Sequence, residues 1–138
     1  MPYEEPRKTE MMLPDTSELA RAAWNVRTRA RVHGETSVGC AVMDERENIF
    51  RGCNIEHRYR SHDIHAEVNA ISSLVAGGGS RVVAIFIAAE RERFTPCGSC
   101  LDWIFEVGDE ETIVLTQRVI NGPIATHLAS ELMPYYPK

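Results

Sequence analysis

Apolar residues Leu19, Ala22, Ala23, Val26 and Ala30 recur at helical spacing after a polar Thr16-Ser17-Glu18 cap. That spacing predicts a first amphipathic helix over 16–31, stopped by Gly34. A short apolar run at 38–43, the polar stretch Asp44-Glu45-Arg46-Glu47-Asn48 and then Ile49-Phe50 predict two strands paired as a hairpin. From His65 to Ala76 the pattern is helical again, with Val68, Ile71, Leu74 and Val75 on one face, and Gly77-Gly78-Gly79-Ser80 ends it. The triple glycine lacks the lysine and spacing of a phosphate-binding loop, so it reads as a connector. The unbroken apolar run 82–87 has the character of a strand buried on both faces. A third helix is predicted over 97–107, a buried strand over 112–115, a turn at Asn121-Gly122-Pro123 and a last short helix over 126–133, closed by Pro134. Strands alternating with helices predict an α/β sandwich whose sheet is covered on both faces.

Composition narrows this picture only a little. A chain of 138 residues with 43% hydrophobic and 25% charged residues suits one domain with one core. Residues 1–15 carry mixed charge and three prolines and read as a mobile N-terminal arm, which leaves 16–138 as a single domain. No apolar run approaches the roughly 20 residues that span a bilayer, so the expectation is a cytoplasmic protein with no membrane partner. The formal charge of −5 argues against a nucleic-acid partner, which calls for a basic stripe. Cysteines at 40, 53, 97 and 100 are expected as thiols, and their uneven spacing suggests metal binding before disulfides.

The candidate chemistry lies in His65-Ala66-Glu67 and Pro96-Cys97-Gly98-Ser99-Cys100. Two cysteines two residues apart can grip one metal from a single turn, and His65 makes a third ligand. Three such ligands leave a tetrahedral Zn2+ with an open position, as in catalytic rather than structural sites. Both motifs fall at predicted helix starts, where the positive dipole end favours thiolate over thiol. Glu67 points into the same pocket from the first turn and is the candidate proton carrier. Cys40 and Cys53 lie in apolar strands and read as core. His33, His57, His62 and His127 have no partner at metal-ligand spacing, and Trp24 and Trp103 read as packing residues.

The pairing of His-x-Glu with Pro-Cys-x-x-Cys matches the pattern of zinc deaminases that act on nucleobases. Taken with Ser37-Val38-Gly39-Cys40-Ala41-Val42, Gly52-Cys53-Asn54-Ile55-Glu56, Thr95-Pro96-Cys97 and Glu131-Leu132-Met133-Pro134, the chain resembles the short-chain cytidine deaminase family from about 37 to 134. The resemblance implies a three-layer α/β/α sandwich with a mixed sheet of about five strands, one Zn2+ per chain and a homotetramer. It also implies hydrolytic conversion of a cytidine-like nucleoside to the uridine analogue with release of ammonia. Asn54 and Glu56 would bind the sugar hydroxyls, the Ala66 backbone would meet the base carbonyl, and the Thr95 carbonyl would receive the amine. By the same resemblance, Tyr135 or Tyr136 would reach a neighbouring subunit's site.

Five departures bear on the substrate. His65 stands where most short-chain relatives have a cysteine, and Val68 where they have an arginine after the catalytic Glu. The two changes balance, because a neutral imidazole in place of a thiolate removes the charge that the arginine offsets. No aromatic precedes Val38, the neighbourhood being Gly34-Glu35-Thr36-Ser37. The run His57-Arg58-Tyr59-Arg60-Ser61-His62-Asp63-Ile64 is strongly charged. It is either a solvated loop or a place where Arg58 or Arg60 reads an anionic group on the substrate. Leu101-Asp102 replaces the family's Arg-Gln. The same chemistry on a modified aminopyrimidine nucleoside, a nucleotide or a free base therefore stays open, as does a non-catalytic zinc-stabilised binding module.

Overall fold

The computed structural model describes residues 16–92 and 95–137, so the expected N-terminal arm lies outside the described residues. Helix α1 (Thr16–Arg27) leads into the hairpin β1 (Val38–Asp44) and β2 (Ile49–Cys53). A 3-10 turn at Arg60–His62 precedes helix α2 (Ala66–Ala76) and strand β3 (Val82–Ala89). Helix α3 (Gly98–Val107), strands β4 (Ile113–Gln117) and β5 (Ile124–Leu128), and one turn of helix, α4 (Ala129–Leu132), complete the chain.

The five strands form one mixed sheet in the order β2-β1-β3-β4-β5. Only β3 and β4 run parallel; the other neighbours are antiparallel. Successive side chains of a strand point to opposite faces, and here both faces are buried. Cys40, Val42, Ile85, Ile87 and Val114 face α2 and α3 through Ala70, Ile71, Leu74, Leu101, Ile104 and Phe105. Ala41, Met43, Phe86 and Leu115 face α1 through Leu19, Ala23 and Trp24. The α/β/α sandwich is therefore the observed architecture, and its double-sided central strands explain the unbroken apolar run at 82–87.

Two glycines set how closely the helices approach the sheet. A Cβ on Gly39 would strike the Ala23 carbonyl oxygen of α1, and one on Gly52 would strike the Ala70 backbone nitrogen of α2. Gly52 thus fixes the height of α2 over β2, just before the chain enters Cys53 and Asn54.

Two element boundaries differ from expectation. Helix α1 stops at Arg27 rather than near 31, because Arg31 leaves the helix to donate its N–H to the Asn54 carbonyl. The expected helix over 126–133 is a strand as far as Leu128, and only Ala129–Leu132 is helical. The outer edge of β4 needs backbone partners, and β5 supplies them, with Val114 opposite His127 and Thr116 opposite Ala125. That pairing is a long-range fact with no local signature. No helix among the described residues is long and apolar enough to cross a membrane.

Candidate metal centre

Two helix starts face each other at one end of the sheet. His65 is the residue before α2 and Cys97 the residue before α3, both in extended backbone that turns the side chain back over the helix end. Cys100 lies in the first turn of α3. The His65 Nδ1 sits 3.2 Å from the Cys100 Sγ and 3.5 Å from the Cys97 Sγ. One donor atom from each of the three falls within 4.8 Å of the others. Bonds of about 2.0–2.3 Å around a tetrahedral zinc place neighbouring donors roughly 3.5 Å apart, so this donor set fits the ion. Nitrogen plus two sulfurs is also the soft, borderline set that zinc takes. Cys40 and Cys53, also free thiols, are buried in β1 and β2, in the core role expected of them, and are not part of this donor set.

Glu67 is 4% exposed and hydrogen-bonded to the Cys100 thiol. Burial pushes its carboxyl above the ordinary carboxylate range, while the bond to Cys100 and the nearby His65 pull the other way. Burial likewise raises the Cys100 thiol strongly, reinforced by the Glu67 carboxylate. Each group resists charge until a cation arrives, which is the electrostatic condition of a metal pocket.

These residues close one end of a cavity of about 320 Å³. Its lining brings together Asn54, Glu56, Arg60, His65, Ala66, Glu67, Thr95 and Cys97. Arg58 is exposed and is not among the lining residues. The cavity adds Thr36, Val38, Asp63, Ile64 and Arg91, none of which the sequence singled out as site residues. Asp63 and Ile64 sit inside the charged run noted above, and Thr36 and Val38 beside the missing aromatic at the start of β1, whereas Arg91, beyond the end of β3, carries no local signal. No aromatic ring lines the cavity among the described residues; Val38, Ile64 and Ala66 provide its apolar surface.

The wall opposite the metal ligands is tied by side chains. Asn54, 7% exposed, accepts the Val38 N–H at 2.8 Å and donates to the Thr36 carbonyl at 2.9 Å. The Glu56 Oε1 accepts the N–H groups of His33 and Gly34 at 2.7 and 2.8 Å. Tyr136 stacks on Phe105 of its own chain at 4.2 Å between ring centres and donates its hydroxyl proton to Asp102. Tyr135 is exposed.

The same constellation recurs in proteins of known family. Residues 14–116 match the model of the cytidine and deoxycytidylate deaminase zinc-binding region. A probable cytidine deaminase of Dictyostelium discoideum is 33% identical over 92 residues, covering 65% of this chain and 63% of that protein. The chain thus spans less than two thirds of that relative, but the match with a Sporosarcina psychrophila cytidine deaminase is longer. There the identity is 29% over 122 residues, covering 87% of this chain and 89% of the relative. Among solved structures, the cytidine deaminase of Burkholderia pseudomallei superimposes with a TM-score of 0.80 at 26% identity, over 89% of this chain and 98% of that one. The Mycobacterium leprae cytidine deaminase gives 0.78 at 25% identity, over 88% and 99%.

Proposed function

The chain belongs to the cytidine and deoxycytidylate deaminase zinc-binding family, a family of zinc-dependent hydrolases, and we propose from that premise that its own substrate is a cytidine-like nucleoside. The supporting observation is the convergence of His65, Cys97 and Cys100 beside a buried Glu67 in a cavity of about 320 Å³. A volume at the lower end of ligand-site sizes suits one nucleoside.

His65, Cys97 and Cys100 hold the metal. Zinc, when bound, supplies Lewis-acid activation of water near neutral pH. Glu67 moves the protons. Its carboxylate takes one from the attacking water as the oxygen bonds to the ring carbon, and delivers it to the ring nitrogen; it then takes the second proton from that same oxygen and passes it to the exocyclic amine, which leaves as ammonia as the C–N bond breaks and the carbonyl forms. The base carbonyl meets the Ala66 backbone and the departing amine meets the Thr95 carbonyl, while Asn54 and Glu56 take the sugar hydroxyls. A purely structural zinc module gives no reason for an acid buried at 4% exposure beside an open ligand set.

A second reading keeps the chemistry and changes the base. Among the described residues the apolar lining is Val38, Ile64 and Ala66, small aliphatic groups that leave room for the extra substituent of a modified aminopyrimidine nucleoside. The decisive assay measures zinc per chain and ammonia release from cytosine, cytidine, deoxycytidine, CMP and modified aminopyrimidine nucleosides. Turnover of a nucleoside with one zinc per chain is the expected result; zinc at that level with no turnover of any of them overturns the reading.

The catalytic unit is the single domain 16–138, and it assembles as a homotetramer. Support comes from the apolar side chains left exposed at Val119, Ile120 and Ile124 by the edge strand β5, and at Trp103 on α3. Four free thiols, two of them needed for the metal, suit the reducing cytoplasm and a role in nucleoside salvage.

A further inference from the structure

The loop between Glu56 and His65 is the most charged stretch near the site, and the reaction described above gives it no task. Its two carboxylates are unusually covered: the Glu56 side chain is 10% exposed and that of Asp63 is 13% exposed. Arg60, at 55% exposure, lies over both. Its Nη2 donates to the Glu56 Oε2 at 2.8 Å and its Nε donates to the Asp63 Oδ2 at 2.8 Å. The second oxygen of Asp63 accepts the His57 N–H at 2.7 Å, so the loop is pinned at both ends of this bridge. A guanidinium presents these two donors in one rigid plane, and a lysine ammonium has no equivalent.

Glu56 is thereby fixed from two sides. Oε1 is filled by the His33 and Gly34 N–H groups. Oε2 carries one bond, to Arg60, and a carboxylate oxygen has room for a second. That remaining acceptor site belongs to an oxygen whose residue lines the cavity shared with Ala66 and Glu67. We propose that Arg60 is a positioning residue: by bridging Glu56 and Asp63 it holds the Glu56 Oε2 as a ready acceptor for a sugar hydroxyl. The inference rests on the nucleoside reading above and assigns the uncharged sugar, rather than a phosphate, to this end of the cavity. A phosphate there would have to displace two carboxylates already on the guanidinium, with the Glu67 carboxylate across the cavity adding to the repulsion.

Removing Arg60 leaves two carboxylates facing each other without their shared cation, and Glu56 swings out of its acceptor position. Calorimetry on the zinc-loaded protein, with uridine as a sugar-bearing probe and 1-methyluracil as a sugar-free one, reads this directly. Arg60→Ala is expected to weaken uridine about tenfold, the worth of one good hydrogen bond, and to leave 1-methyluracil within about twofold. On cytidine it raises KM about tenfold with little change in kcat, since the contact is made equally in ground and transition states. Arg60→Lys recovers part of the loss at most, and Asp63→Asn, which loosens the second anchor, reproduces part of it.

Equal weakening of both probes means that Arg60 merely supports the fold and overturns the proposal. So does an unchanged uridine affinity, or a KM increase for CMP that spares cytidine. Failure of the wild-type protein to turn over any nucleoside sinks the substrate reading instead, and the calorimetric comparison of the two probes still decides the role of Arg60.

Discussion

Glu67 combines conditions that seldom meet in one carboxylate: near-complete burial, a thiol as hydrogen-bond partner and an imidazole close by. A proton carrier gains from this, because burial raises the carboxyl's affinity for the proton it must accept, while the thiol and imidazole beside it favour its release. Glu67→Gln keeps the shape and loses the proton. It is expected to retain one zinc per chain while turnover falls by about a thousandfold or more, within the range of general acid-base catalysis; parallel metal analysis and ammonia assays check it. Cys97→Ala removes a ligand outright, so zinc binding should weaken more than the ten- to hundredfold typical of losing an outer-shell partner, as titration against a chromogenic chelator will show. At this scale the ligands were legible in the sequence because each motif is short and local: one residue separates His65 from Glu67 and two separate Cys97 from Cys100. Arg91 and Asp63 were not, because their place at the cavity depends on the path of loops that no local pattern encodes.

At the scale of elements, the approach of helix to strand matters most where Gly52 lies under Ala70. Gly52→Ala puts a methyl against backbone, which has no rotamer to move, so α2 must lift and carry His65 and Glu67 with it. A destabilisation of about 1–3 kcal/mol is expected from such overpacking, together with weaker zinc retention, both measurable by thermal denaturation with and without chelator. The loop between Glu56 and Asp63 makes a separate prediction about pH. The backbone N–H of Gly34 foremost, then that of His33 and the guanidinium of Arg60, hold the Glu56 carboxyl below its ordinary 4.5. The His57 N–H foremost, with Arg60, holds Asp63 below its ordinary 3.8. A lowered folded-state value means that the stability these groups contribute is complete above about pH 5 and drains as pH falls through the lowered values. The difference in Tm between wild type and Glu56→Gln should therefore be constant near neutrality and shrink below about pH 4. Helix α2 was readable from its periodicity, which packing against one face of the sheet imposes, and strands β1 and β3 from their unbroken apolar runs, since both of their faces are buried. Strand β5 was not: Thr126, His127 and Leu128 were read as helix, and only the unpaired edge of β4 makes them a strand.

For the whole molecule, a double-faced sheet with helices on either side is what alternating element types demand, so the architecture was legible even where β5 was misplaced. What the chain does with its surface was less so. Trp103, Val119, Ile120 and Ile124 stay exposed, and a charged substitution at Ile120 is expected to leave the isolated fold within about 0.5 kcal/mol of wild type. The same substitution should lower the mass found by light scattering if Ile120 lies between subunits. Tyr136, one of the two C-terminal rings that the family resemblance sends toward a neighbouring site, stacks on Phe105 of its own chain.

The cavity is built in two different manners on its two sides. His65, Cys97 and Cys100 are anchored to helix ends, and Ala66 and Glu67 to the first turn of α2, where the sandwich core itself fixes them. The facing wall is stitched by a few side chains, chiefly Asn54, Glu56 and Arg60, reaching across loops with little core beneath them. Such a division makes the molecule evolvable in one direction: substitutions between 56 and 64 can retune which molecule is admitted while the machinery that breaks the C–N bond is left untouched. A library confined to that loop is thus the natural starting point for turning this deaminase toward new nucleosides.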